Sequence, residues 1–213
     1  MSLKHILVPL SGACDETHVA KRFNAHVAVT TTMAYRVTNY DAGGFPLWQS
    51  YGDEIATAMT KVRAQARIAA RKSFDAALAE IRIPVVNHPS CAQAPTWFEA
   101  AAVEDGIAAL TDHITDLVVI GRPQGAAYIR QQQLITEALF DLRRPVLLLP
   151  FKSDCLGGAV AVAWNGTLQA ANALRAGIDL FKPGAEVALL VVGDVSGAPI
   201  PTERAVEYLG WHG

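Results

Sequence analysis

Two glycine-bearing turns, and the arginines beside one of them, are the residues whose types and spacing could hold a ligand. The first turn is Ser11-Gly12, directly after the largely apolar run 5–10. The second is Gly121-Arg122-Pro123-Gln124-Gly125, directly after the wholly apolar run 117–120. Glycine lets backbone approach a ligand closely because no Cβ intervenes. Arg122 and Arg130 are the basic side chains beside the second turn and the ones expected to touch a ligand. A strand that is apolar throughout and stops at a glycine is typical of a parallel α/β sheet. In such sheets ligands lie over the carboxyl ends of the strands, where the strand order reverses. Function is therefore expected at the loop after Ile120.

The remaining polar residues support no other chemistry. Histidines at 5, 18, 26, 88, 113 and 212 form neither H-x3-H nor H-E-x2-H, so they read as solvated or ordinary core residues, and no metal is expected. Cys14, Cys91 and Cys155 are odd in number, far apart and without a C-x-x-C, which points to inert thiols rather than a disulfide framework or a zinc site. Ser11 lacks the G-x-S-x-G context of a nucleophile elbow, so acyl transfer has no support. Asp105, Asp112 and Asp116 fall on the amino side of the expected sheet and read as surface solubility. Arg63, Arg67 and Arg71 recur at helical spacing and read as the solvated back of an amphipathic helix. No catalytic residue is assigned.

Composition narrows the class in the same direction. With 213 residues, of which 51% are hydrophobic and 18% charged, the chain can bury a sizeable core. A formal charge of −2 gives no electrostatic footprint for nucleic acid or for an anionic membrane surface. No run of 18 apolar residues occurs, and the amino terminus enters a strand without a signal-peptide pattern, so a cytoplasmic protein is expected.

The elements that must position the two turns alternate between strand and helix. The pattern predicts strands over 5–10 and 26–33 with a short helix over 15–24 between them, then a long helix over 53–81 that Pro84 stops. A third, weakly marked strand is expected over 96–101, and a helix over 103–113 leads to the strand 117–120. A helix over 132–142 and a fifth strand over 145–150 close this first domain, 1–151.

The pattern then starts again over 158–213. Ala159-Val160-Ala161-Val162-Ala163-Trp164-Asn165-Gly166 repeats the form of the opening strand and its Ser11-Gly12 turn. An amphipathic helix over 167–181, a strand over 186–192 and a helix over 202–212 follow, so the second copy is expected to be partial, a β-α-β-α piece. Its strand 159–163 would leave an apolar edge, which predicts cover by the first domain or by a second subunit in a homodimer, with Trp164, Leu168 and Trp211 near the contact.

Three segments carry a resemblance to a known family. Lys4-His5-Ile6-Leu7-Val8-Pro9-Leu10-Ser11-Gly12, Asp116-Leu117-Val118-Val119-Ile120-Gly121 and Arg144-Pro145-Val146-Leu147-Leu148-Leu149-Pro150 resemble, in that order, landmarks of the universal stress proteins, specifically the tandem two-domain type. The resemblance implies a five-stranded parallel open sheet of order 3-2-1-4-5. This is a Rossmann-like fold of the adenine nucleotide alpha hydrolase type, with strands 1 and 4 at the switch point.

The resemblance also implies where a nucleotide would bind, and this sequence departs from it there. Nucleotide-binding members carry G-x2-G-x9-G-[ST] after strand 4, where glycine N–H groups and a hydroxyl cradle phosphate. Counted from Gly121, Gln124 stands at the motif's second glycine and Leu134 and Ile135 at its last two positions; one inserted residue brings Gly125 and Thr136 into register, but Ile135 still replaces the third glycine, and Pro123 has no N–H. Such members also place an acidic residue after strand 1, where this chain has Ser11, and Asn165 in the second copy. The expected contact set is therefore Ser11, Gly12, Gly121, Arg122, Gly125 and Thr136, forming a cradle degraded for ATP. The expected function is a non-catalytic binding or regulatory module in stress response that works with a protein or small-molecule partner and requires no cofactor. The alternatives are an ATP-binding, slowly hydrolysing member and a scaffold acting only through its oligomer surface.

Overall fold

The structure is a computed structural model that describes residues 3–10, 25–31, helical positions spread over 57–79, and residues 96–98, 114–122, 128–150 and 158–212. The chain divides into two compact units, Leu3–Lys152 and Ser153–Gly213. It is an α/β protein with parallel sheets.

In the first unit, β1 (His5–Leu10), β2 (His26–Thr31), β4 (Leu117–Gly121) and β5 (Val146–Leu149) form the sheet, and β3 (Thr96–Phe98) lies outside β2. All neighbours run parallel, with Leu7 level with Ala28 and Val118, and Val118 level with Val146. Ile6, Leu7 and Val8, then Val27, Ala28 and Val29, then Leu117 through Ile120 are all buried. These runs do not alternate between apolar and polar because both sheet faces are covered, as parallel sheets require. The strand order is the expected 3-2-1-4-5, with the third strand much shorter than the other four. Four strands of four to six residues carry the sheet, and of the strand predicted over 96–101 the residues Thr96–Phe98 pair with Ala28, Val29 and Thr30, while 99–101 lie outside the described residues. The predicted helices over 15–24 and 103–113 lie outside the described residues.

The start of β1 is tied to β4 by side chains. One carboxylate oxygen of Asp116, Oδ2, accepts from the backbone N–H groups of Lys4 and His5, both at 2.9 Å, and the Thr115 hydroxyl lies 3.1 Å from the His5 and Leu117 carbonyl oxygens. Asp116, expected only to aid solubility, is thus a structural tie, since a carboxylate on two backbone donors makes strong hydrogen bonds.

Helical positions over 57–79 form α1, where Phe74 is buried and Arg71 pairs with Asp75 at 3.0 Å and lies over the Phe74 ring. Arg71 is therefore an intrahelical partner rather than part of a free basic stripe, and Arg63 and Arg67 lie outside the described residues. Helix α2 spans Tyr128–Thr136 and continues as a π turn, Glu137–Asp141. Its Leu134 and Ala138 pack against Leu7, Val118 and Ile120.

The exit from α2 is closed by Leu142 N–H donating to Glu137 O and Arg144 N–H donating to Ala138 O, with Arg143 between them at φ 52°. A left-handed residue at this point of a helix end is ordinarily glycine. Arg143→Gly is expected to raise stability by about 0.5–1 kcal/mol, the relief of the Cβ clash less the larger freedom glycine gains in the unfolded chain. Urea unfolding checks this, and a loss of stability would mean that the Arg143 side chain makes a contact worth more than the strain.

In the second unit, β6 (Val160–Trp164) pairs parallel with β7 (Val187–Val191), joined by α3 (Leu168–Gly177) and a 3-10 turn (Ile178–Leu180) and followed by α4 (Thr202–Trp211). Trp164, Leu174 and Ala205 form its core, with Val162, Leu189, Ile200 and Leu209 packed around them. Val160, Val162 and Trp164 alternate with the exposed Ala161 and Ala163, so one face of this sheet is covered. Trp164, expected near a contact with the first domain or a second subunit, is a core residue of its own unit, whereas Leu168 and Trp211 are exposed. No helix among the described residues is long and apolar enough to cross a membrane.

Candidate functional site

The strand order β2-β1-β4-β5 reverses direction between β1 and β4, so their carboxyl ends lie side by side at a switch point. This edge is where a parallel sheet opens a crevice, because the connections leave the adjacent strands on opposite faces. Gly121 ends β4 there, level with Leu149 of β5. Arg122 follows with an exposed side chain. Helix α2 follows β4, so it begins on the carboxyl side of the sheet, and its first turn holds no acidic residue to offset the partial positive charge of its free N–H groups.

Two backbone donors of the loop are withdrawn from any ligand. The Arg122 N–H donates to Leu149 O at 2.7 Å, extending the β4–β5 ladder by one bond. The next residue, Pro123, has no N–H to give. Among the described residues of this loop the exposed Arg122 guanidinium can meet an anion, and it does so in competition with water and salt.

Of the expected contact residues, Gly121 and Arg122 stand together at this edge. Ser11, Gly12 and Gly125 lie outside the described residues, as does the Arg130 side chain. Thr136 does not join the group. It is the last residue of α2, exposed, with its hydroxyl donating to the Gln132 carbonyl at 3.0 Å. At 1.5 Å per residue, eight residues from Tyr128 place it about 12 Å along the helix from the amino-terminal turn. The Thr136 hydroxyl is thus engaged within its own helix. The helix expected over 132–142 begins earlier, at Tyr128.

The corresponding turn of the second unit is closed on itself. Asn165 Oδ1 accepts from the Thr167 hydroxyl at 2.7 Å and from the Thr167 N–H at 3.3 Å, and Thr167 in turn accepts from the Ala170 N–H as the N-cap of α3. Asn165 therefore serves the strand-to-helix turn, the role its side chain performs by local hydrogen bonding. On the loop after β7, the Ser196 N–H holds the Asp194 carboxyl below its ordinary value.

One pair of residues escaped the sequence reading. His5 and His26 occupy level positions on β1 and β2, and their rings stack with centroids 5.2 Å apart. The available signal was that each histidine opens an apolar strand, so a parallel pairing in phase brings them together. Among the described residues no three histidine, cysteine, aspartate or glutamate side chains gather as a metal site. His18, His88, His113 and the three cysteines lie outside the described residues. No protein-family model matches the sequence, and no curated protein matches it.

Proposed function

We propose that the chain is a non-catalytic binding and regulatory module of the universal-stress type, acting in stress response through a switch-point crevice that holds nucleotide poorly. The observation that carries this reading is the pairing of a reversed strand order with few available donors among the described residues and the sequence of the loop. The crevice position is occupied by Gly121 and Arg122, while the Arg122 N–H serves β5 and Pro123 has none. A triphosphate needs several convergent charge-assisted donors, and one exposed guanidinium beside a helix start supplies few.

The test is thermal or urea unfolding of the whole chain with ATP and magnesium. A ligand at a hundred times its dissociation constant stabilises by about 2.7 kcal/mol, so a chain that binds ATP at micromolar levels would show that gain at sub-millimolar nucleotide. The proposed reading expects far less in the unaltered chain. It also expects a measurable gain after Pro123→Gly and Gln124→Gly together, which restore a donor and backbone freedom. Full stabilisation of the unaltered chain would replace this reading with an ATP-binding one. No gain in the double variant would place the defect at Ser11 or Ile135.

A further inference from the structure

Among the described residues, strand β6 is paired on one side only, since the sheet of the second unit consists of β6 and β7. The Val160 N–H donates to the Glu186 carbonyl, so Val160, Val162 and Trp164 turn their backbone groups to β7, and Ala161 and Ala163 turn theirs to the free side. Native edges are ordinarily guarded by charge, by proline or by a bulge. This edge has none of these. The sequence carries no charged residue between Asp154 and Arg175 and no proline between Pro150 and Pro183, and the register with β7 is unbroken from Val160 to Trp164. Leu174 of α3 and Ala205 of α4 pack with Trp164 and Val162, so both helices cover one face of the sheet, while Ala161, Ala163, Ala188 and Leu190 stand exposed.

We propose that this edge receives a second copy of the chain, β6 pairing antiparallel with the β6 of its partner about a two-fold axis at Ala161. The stretch Ala159-Val160-Ala161-Val162-Ala163 reads the same in both directions, which favours a second copy over a foreign strand. Antiparallel pairing about Ala161 sets that residue opposite its own counterpart and Ala159 opposite Ala163. Because Ala161 points its N–H and C=O outward, the axis falls on a hydrogen-bonded pair, and the two Ala161 residues exchange both bonds. Opposite residues share a face, so valine meets valine on the helix-covered side and alanine meets alanine on the bare one. Neither strand brings a charge to the other, so the contact is self-complementary, as a two-fold interface must be. It joins two two-stranded sheets into one of four. Five residues a side bury well under the roughly 800 Å² per partner of a standard interface, so the association is of micromolar strength.

The experiment is sedimentation velocity of the whole chain from about 1 to about 200 µM, the range in which a contact of this size dissociates. The unaltered chain is expected to pass from monomer to dimer across that series. Ala161→Lys and Ala161→Glu each set like charges opposite one another at the axis, and each is expected to weaken the dimer about fivefold. Mixed in equal amounts they set lysine against glutamate, and dimer is expected to return. Ala161 is exposed, so both side chains fit the folded unit. Ala161→Pro removes both central N–H groups at once and is expected to weaken association about thirtyfold. Its pairing with β7 is kept, because the lost N–H points away from that strand. If the proline variant does not fold, the lysine and glutamate pair decides. A chain that stays monomeric throughout, a dimer unchanged in both charge variants, or a mixture no tighter than its components would overturn the β6 contact.

Discussion

Gly166→Ala is expected to destabilise the second unit by about 3 kcal/mol, the sum of a conformational and a steric term. Gly166 ends the β6 turn at φ 69°, in the left-handed region where a Cβ clashes with the following carbonyl. The added Cβ would also drive into the Ala198 side chain and lie 2.7 Å from the Ile200 carbonyl oxygen. Neither neighbour can move freely, because the Ile200 N–H donates to the Gly166 carbonyl at 3.0 Å and Ile200 packs on the unit's core. Gly184→Ala separates the two terms. Gly184 has nearly the same φ, 72°, with open space where its Cβ would go. Alanine there should cost only the conformational part, about 1 kcal/mol. Urea unfolding of both variants, with hydrogen exchange assigning the loss to residues 158–212, checks the difference. Equal costs would mean that the segment around Ala198 does not lie over Gly166.

The parts of this fold that were legible in the sequence are those whose burial is uniform. Leu117 to Ile120 are apolar without interruption because both sheet faces need them, and the strand appears where that run predicts it. Strands β6 and β7 and helix α4 fall within one residue of their expected bounds, since their hydropathy alternates or recurs cleanly. Helix α2 was harder to place. Its first turn exposes Tyr128 and Ile129 while burying Gln131, which reverses the usual hydropathy cue, so the expected start fell at 132 rather than at Tyr128. The stacked histidines and the closure over Gly166 depend on strand register and on a distant loop, and no local pattern encodes either.

Leu134→Ala is expected to cost the first unit about 3 kcal/mol, within the range for a leucine truncated in a closed core. Leu134 is fully buried and packs with Ala138 against Leu7, Val118 and Ile120, so its removal opens a cavity against both switch-point strands, and neither strand can shift inward without breaking ladder bonds. Phe140, two residues beyond Ala138 in the π turn, is 72% exposed despite being the larger apolar side chain. Phe140→Ala should therefore stay within about 0.5 kcal/mol of the unaltered chain. The pair tests how α2 is seated. An α-helix continued past Thr136 advances 100° per residue, whereas the wider π turn advances less, so the identity of the inward residues after 136 depends on that turn. With Leu134 and Ala138 inward, the amino-terminal turn of α2 is held over the carboxyl end of β4. Thermal unfolding of the two variants ranks the positions. A larger loss from Phe140→Ala than from Leu134→Ala would show the helix rotated on the sheet, and its first turn would then be aimed away from the crevice beside Gly121.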